Sequence, residues 1–368
     1  MHHATSWYFY LRNGSWGPPD SNLYIHFGQS SVALFFMISG FLFYSKLLEG
    51  RKKPINWTKL YISRVLRLGP LYFFAVALVF LIIAIMVNEP PMTLLKESLH
   101  WISFTALGSP NINGIDGTNI VIAGVTWSLR YEWVFYFSLP LLALALQVSV
   151  PIPYLLLSSA VVAIAVLHMH LARIHFVSFA AGIAAVYLVR SDYLRGRASS
   201  ATASTVVLAC LVVVVISSRT AYGIIPLLLL SVVFALIACG NNIFGLLTIP
   251  VSRLLGELTY GMYLLQGMVL FVVFKFLIGF KAAAALTPLQ YWLVILGCTP
   301  LLILISFITF KTIEAPAMSF VHPLSAWLHS RWPWYSIAKV DTGAFTNLET
   351  PMIPIQSDTG EPQSSPET

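Results

Sequence analysis

Charged residues are scarce in this chain of 368 residues. Asp, Glu, Lys and Arg make up 10% of the sequence, whereas a soluble globular domain carries about 25%. Hydrophobic residues make up 58%, and the mean hydropathy is +0.80. This composition excludes a soluble fold and predicts an integral membrane protein that has the lipid bilayer as its first partner.

Disulfides, metal-ligand patterns and phosphate-binding loops are also lacking. The three cysteines, Cys210, Cys239 and Cys298, stand singly in apolar runs, so they form neither a disulfide framework nor a thiolate cluster. No His and Cys pair has zinc-ligand spacing, and no glycine-rich loop could cradle a nucleotide. The net charge of +7 lies mostly in short connectors, where membrane orientation explains it. We expect no metal, no bound cofactor and no nucleic-acid partner.

Long apolar runs predict an all-α polytopic helical bundle. Runs of about 17–25 residues, the length of a helix that crosses a bilayer, give about nine full spans and a partial helix at residues 1–11. The runs are continuously apolar rather than alternating, which favours helices over a barrel. The spans are predicted near residues 30–47, 68–87, 126–147, 152–168, 174–190, 203–218, 222–239, 256–278 and 290–311.

The distribution of Lys and Arg predicts the orientation of these spans. If the connector 46–67 faces the cytoplasm, alternation of the spans places most of the 21 basic residues on that side, as the positive-inside rule requires. Connectors 12–29 and 88–125 then lie outside. Residues 317–368 are expected to form a cytoplasmic tail, disordered from about residue 340, because they are rich in Pro, Ser, Thr and acidic residues without apolar periodicity.

Two charges interrupt the third predicted span. Arg130 and Glu132 lie in TWSLRYEWVFYFSLP, residues 126–140. A charge at bilayer depth costs about 2.5–3.5 kcal/mol on insertion scales, so such residues usually have a partner or a chemical role. They are two positions apart, so on a helix they point to different faces and find different partners. An internal Arg–Glu structural pair is the alternative.

Basic and imidazole side chains elsewhere are further candidates for functional residues. Arg64 and Arg67 share a helix face at a cytoplasmic span start. Their guanidinium groups could bind the phosphate oxygens of a coenzyme A donor. The alternative is that both arginines only anchor the orientation of the span in the membrane. His2 and His3 are candidate general bases, because histidine titrates near neutral pH, or else a bystander pair.

Two short patterns favour structural interpretations. The small pair Ser39-Gly40 in an apolar helix predicts close helix packing. The cluster His168, His170, Arg173 and His175 lacks metal-site spacing and is interpreted as a solvated external turn, within reach of an acceptor.

Five segments occur in the order seen in a known family. They are FFMISGFLF, YISRVLRLGPLY, TWSLRYEWVFYFSLP, TYGMYLLQ at residues 259–266 and KTIEAP at residues 311–316. Together they resemble the acyltransferase 3 family of multi-spanning membrane O-acyltransferases. The likeness implies a membrane acyltransferase domain over residues 1–316 of a bacterial inner-membrane protein. It also implies transfer of an acyl group, expected to be acetyl, from acetyl-CoA to a hydroxyl of a surface or exported carbohydrate.

The resemblance assigns roles to single residues. The essential histidine of the family's first helix matches His2 or His3, and its Trp-Ser-Leu-x-x-Glu motif runs from Trp127 to Glu132. The histidine would deprotonate the acceptor hydroxyl or carry the acyl group, with Glu132 orienting it. The expected site residues are His3, His2 and Glu132 for catalysis, Arg64 and Arg67 for acyl-CoA, and Trp127, Ser128, Arg130 and Gln266 for the substrate.

The chain departs from the family pattern at two places. Residues 1–11 are too short to cross a bilayer, so we expect about 15–20 upstream residues that complete the first span. The resemblance implies an arginine among them, ten residues before one of the two histidines. Gln266 stands where the family often has histidine; it can bond a substrate but cannot shuttle a proton.

Two other functions remain compatible with the sequence. A non-enzymatic permease or glycan carrier would share the spans and the buried charges, and inverted repeats, which the sequence does not show, would favour it. An inactive, truncated acyltransferase relative is the second alternative.

Overall fold

The computed structural model describes residues 1–86, 94–106 and 108–331, and these ranges contain helices and connectors without a strand. The helices are α1 (His2–Asn13), α2 (Asn22–Glu49), α3 (Trp57–Met86), α4 (Leu94–Ile102), α5 (Trp127–Ala145), α6 (Ile152–His168), α7 (Arg173–Leu188), α8 (Asp192–Ala198), α9 (Ala201–Ser217), α10 (Ile224–Ala238), α11 (Pro250–Val272), α12 (Phe280–Ala285), α13 (Pro288–Thr309), α14 (Ala315–Ser319) and α15 (Val321–Arg331). Two π-helical segments, Val273–Ile278 and Phe310–Glu314, extend α11 and α13.

Each of the nine predicted spans falls on a helix, but the count of nine membrane crossings is not confirmed. Among the described helices, four continuous stretches are long and apolar enough to cross a membrane: Asn22–Glu49, Trp57–Met86, Pro250–Ile278 and Pro288–Arg331. A fifth follows if α7 and α8, which meet at a bend of 104°, form one span. The others fall short because α6, α9 and α10 have 17, 17 and 15 residues, and α5 has a polar first half.

Local chemistry accounts for several helix ends. The Gly14 N–H donates to Tyr10 O with φ of 68°, the left-handed conformation that a glycine adopts without strain, and α1 ends there. Pro250 and Pro288 occupy first positions of α11 and α13, where a missing N–H costs nothing. Thr287 and Gln290 add a capping box at the start of α13.

The helices run up and down between two ends of the bundle. At the upper end, His26 near the start of α2 bonds Ser218 O at 2.8 Å, in the connector between α9 and α10. At the lower end, the hydroxyls of Tyr44 and Tyr187, near the ends of α2 and α7, lie 2.6 Å apart. Alternation therefore brings the starts of α2, α5 and α7 to the upper end, which is the outer side in the predicted orientation.

Two glycines let α2 and α7 touch backbone to backbone. A Cβ on Gly182 would lie 2.0 Å from Met37 O, and one on Gly40 would lie 2.2 Å from Phe179 O. The close packing predicted for Ser39-Gly40 is thus confirmed. Because the backbones meet here, the neighbouring Ser39 side chain is held toward α5 at a fixed depth.

The C-terminal part of the described chain remains helical beyond the predicted acyltransferase domain. Helix α15 follows α14 and buries Val321 and Ser325. The predicted disorder from about residue 340 lies outside the described residues. The boundary at residue 316 stays a prediction.

We predict that Gly182→Ala lowers the yield and thermal stability of the folded protein, because the methyl group forces α2 and α7 apart. Gly256→Ala is the matched control: it lies in α11 with no atom within 4 Å of an added Cβ, and alanine favours a helix by about 1 kcal/mol over glycine. Size-exclusion melting curves of fluorescent fusions measure both. Equal midpoints for the two variants would contradict the close approach.

Candidate active site

Glu132 lies at the centre of the bundle and is 0% exposed. The Ser39 hydroxyl, on α2, donates to its Oε1 at 3.0 Å, and the Tyr136 hydroxyl, one turn along α5, donates to its Oε2. Burying a carboxylate is costly unless hydrogen bonds compensate. Two hydroxyls from two helices supply that compensation and hold both carboxylate oxygens in place.

Arg130 does not pair with Glu132. Across the described residues no ion pair or hydrogen bond joins the two side chains, and the Arg130 Nε is buried without a hydrogen-bond partner. The geometry therefore agrees with the expectation that Arg130 and Glu132 point to different faces of the helix. The alternative, an internal Arg–Glu pair, does not form.

Ser128 forms a second polar contact, one turn nearer the upper end. Its hydroxyl lies 2.8 Å from the Tyr263 hydroxyl, which donates to Val125 O at 2.7 Å. Tyr263 comes from α11, so it links the TYGMYLLQ segment to the start of α5. The predicted substrate ligand Gln266 instead donates to Tyr263 O at 3.1 Å within its own helix. Sequence reasoning missed Tyr263, although it lies in the quoted segment.

The two histidines lie on α1 and differ in their contacts. His2 Nδ1 is 2.8 Å from Tyr24 O, and its ring occupies the space that a side chain at position 28 would need. His3 packs its ring 4.9 Å from the His2 ring and forms no hydrogen bond within the described part of the chain. His2 is thus anchored to the start of α2, and His3 has its ring nitrogens free.

Neither histidine meets Glu132. Among the described residues no hydrogen bond joins them, and the α2 residues that they touch lie at different depths. Gly28, beside His2, and Ser39, beside Glu132, are about 16 Å apart along a helix that rises 1.5 Å per residue. The structure gives Glu132 two hydroxyl partners in place of the expected imidazole.

Arg64 and Arg67 share a face of α3 but have different surroundings. The Arg67 Nη1 lies 3.5 Å from Glu314 Oε2, whose side chain is 1% exposed. Arg64 instead stacks over Phe43 at 5.0 Å, and Phe43 packs 5.0 Å from Tyr136. Contacts therefore run from Arg64 through two rings to Glu132. Glu314, in the KTIEAP segment, is a buried charge that sequence reasoning did not single out.

Trp127, the last predicted residue, lies half-buried at the start of α5. Its ring centroid is 5.0 Å from that of His175 on α7. The sequence placed His175 in a solvated turn with His168 and His170; those two are exposed, whereas His175 packs among aromatic rings. Among the described residues no group of three His, Cys, Asp or Glu could hold a metal ion.

Comparison with known proteins identifies the family of the chain. The acyltransferase 3 family profile, described as an acyltransferase domain, matches residues 1–311. No curated protein and no solved structure matches the chain. The matched region contains Glu132, both of its hydroxyl partners, Arg64 and Arg67. The apolar helices and the extent of this match make the chain an integral membrane protein that belongs to the acyltransferase 3 family.

Proposed function

We propose that this protein transfers an acyl group, acetyl in our assignment, from acetyl-CoA to a hydroxyl of a carbohydrate in or beyond a bacterial inner membrane. The observation that carries the proposal is Glu132, a fully buried carboxylate held by two hydroxyls within the family's Trp-Ser-Leu-x-x-Glu motif. A bundle that accepts the cost of such a group uses it for chemistry more often than for packing.

The two substrates approach from opposite ends. Acetyl-CoA reaches the lower end, where Arg64 offers its guanidinium to phosphate oxygens while Arg67 is held by Glu314. The carbohydrate approaches the upper end, beside Trp127 and Ser128. The contacts from Arg64 through Phe43 and Tyr136 lead toward the carboxylate.

The reaction needs one proton carrier. The acceptor oxygen attacks the acyl carbonyl carbon, the C–S bond of the thioester breaks, and the proton of the hydroxyl ends on the sulfur of coenzyme A. We assign the proton transfer to His3, the histidine without a hydrogen bond, and we assign an electrostatic role to the buried charge of Glu132, which lies deeper in the bundle. Acyl transfer through the His3 ring is an alternative route with the same products.

A membrane carrier for a glycan is the second candidate. The 104° bend between α7 and α8 resembles the broken helices of transporters. Turnover of acetyl-CoA separates the two functions, because a carrier would move the glycan without consuming the thioester. An inactive relative would bind acetyl-CoA without turnover.

We predict that Glu132→Gln keeps the protein in the membrane but removes most of its turnover, because the amide preserves size and still accepts from Tyr136 while the charge is lost. Membranes supplied with radiolabelled acetyl-CoA measure the label that reaches carbohydrate. Glu257→Gln on the exposed face of α11 is the matched control. Normal turnover by the Glu132 variant refutes its catalytic role, and absence of that variant from the membrane makes Glu132 structural.

Replacing Arg64 and replacing Arg67 are predicted to have different effects. Arg64→Ala should raise the KM for acetyl-CoA at normal abundance. Arg67→Ala should also lower abundance, because it leaves the buried Glu314 without its partner, a loss of about 3–5 kcal/mol in buried pairs. The double variant Arg67→Met, Glu314→Gln should recover abundance. Arg253→Ala, exposed at the start of α11, is the control. Unchanged kinetics for Arg64→Ala would mean that Arg64 serves only as a topology anchor.

We further predict that His3→Ala abolishes turnover at normal abundance, since general-base catalysis contributes about 10²–10⁴-fold. His2→Ala should mainly lower thermal stability, because it removes the bond to Tyr24 O. Turnover rates and melting midpoints of both variants separate the two roles. Loss of turnover only in the His2 variant would reverse the assignment.

A further inference from the structure

His175 lies inside a group of four aromatic rings at the upper end of the bundle. Its ring centroid is 4.2 Å from Tyr222, 4.7 Å from Tyr131, 5.0 Å from Trp127 and 6.4 Å from Phe36. We call these five residues the His175 cage. The rings come from α2, α5, α7 and the connector that precedes α10, so only the folded bundle assembles them.

Two polar atoms of the His175 cage lack partners. His175 Nδ1 and the Tyr222 hydroxyl are both buried, and neither has a hydrogen-bond partner among the described residues. Unpaired buried polar atoms are costly and rare in folded proteins. Two of them on adjacent rings indicate a place where a ligand supplies the missing hydrogen bonds.

The connector at residues 218–223 carries Tyr222 to this place and is tied to α2. His26 Nε2 bonds Ser218 O at 2.8 Å, and Gln29 Oε1 accepts from Thr220 Oγ1 at 2.8 Å and from Ala221 N at 2.9 Å. Ala221, which donates the second of these bonds, is the residue directly before Tyr222. The connector is therefore positioned by specific contacts, which a binding element requires.

A cavity of about 340 Å³ borders the same connector. Arg219 lines it together with Asp20, Ser21 and Asn22 from the segment before α2. Pockets that hold small molecules span about 300–1,000 Å³ and combine apolar or aromatic walls with a few polar groups. The cavity borders the connector through Arg219, and no residue of the His175 cage lines it.

We propose that the His175 cage is the binding subsite for the carbohydrate acceptor. The proposal rests on the proposed function and extends it to the acceptor. The apolar face of a sugar ring packs on Trp127 or Tyr222, and its hydroxyls pair with His175 Nδ1 and the Tyr222 hydroxyl. An acyl chain would leave both polar atoms unpaired, so the chemistry of the cage favours a polyhydroxyl ligand.

The location suits an acceptor of the transfer reaction. Trp127 directly precedes Ser128, and Tyr131 directly precedes Glu132 on α5. A sugar seated on the His175 cage therefore enters beside the motif that carries the buried carboxylate. The cage residues bind and orient the acceptor, and none is assigned a proton-transfer step.

The kinetic test uses the full chain in lipid nanodiscs free of glycoside detergent, with acetyl-CoA and a panel of methyl glycosides as acceptors. Tyr222→Phe keeps the ring and removes one hydroxyl. It should raise the acceptor KM about tenfold, the effect of one lost hydrogen bond, while the KM for acetyl-CoA stays unchanged. His175→Phe should act in the same direction. A lower kcat at unchanged acceptor KM for Tyr222→Phe overturns the proposal.

A second measurement does not depend on turnover. Diethyl pyrocarbonate modification of each histidine, followed by peptide mass spectrometry, reports access to His175, with the exposed His168 and His170 as internal controls. Methyl glycosides should protect His175 alone, in the wild type and in Glu132→Gln. Protection without turnover in the wild type supports the subsite and refutes the proposed function. Turnover without protection refutes the subsite alone, and absence of both overturns the carbohydrate assignment at this cage.

Discussion

A carboxylate without access to water organises the centre of this molecule. Glu132 is held by hydroxyls from α2 and α5, and each hydroxyl must reach it at the right depth. That requirement constrains α2, because Ser39 faces Glu132 only while Gly40 and Gly182 allow the backbones of α2 and α7 to touch. Helix packing and the polar site are therefore two consequences of one close approach.

The second buried carboxylate, Glu314, is stabilised differently. It pairs with Arg67 at 3.5 Å, in a π-helical segment at the end of α13. Single π-helical turns are rare and often occur at functional sites. The two arginines of one helix face therefore differ in their contacts: Arg67 joins α3 to the end of α13, whereas Arg64 stacks over Phe43.

The polar groups are arranged along the bundle rather than in one pocket. Arg64 lies toward the lower end, the Glu132 network lies in the middle, and Ser128 with Tyr263 and the His175 cage lies toward the upper end. This series is the structural basis of the transfer proposed above.

The sequence by itself determined where the helices lie and which charged residues interrupt an apolar span. All nine predicted spans coincide with helices because continuous apolar runs have few other structures available in lipid. Arg130 and Glu132 stood out because charge is expensive at that depth. The number of membrane crossings did not follow from the sequence, since α6, α9 and α10 are shorter than a full span.

Only the tertiary structure decided which residues meet. Ser39 and Glu132 are 93 positions apart and Ser128 and Tyr263 are 135 apart, so no local pattern could pair them. His175 looked solvated because its neighbours in the chain are polar, yet its neighbours in space are rings from other helices. Periodicity and hydropathy report the environment of a segment, whereas a site depends on the packing of distant segments, which a single sequence does not encode locally.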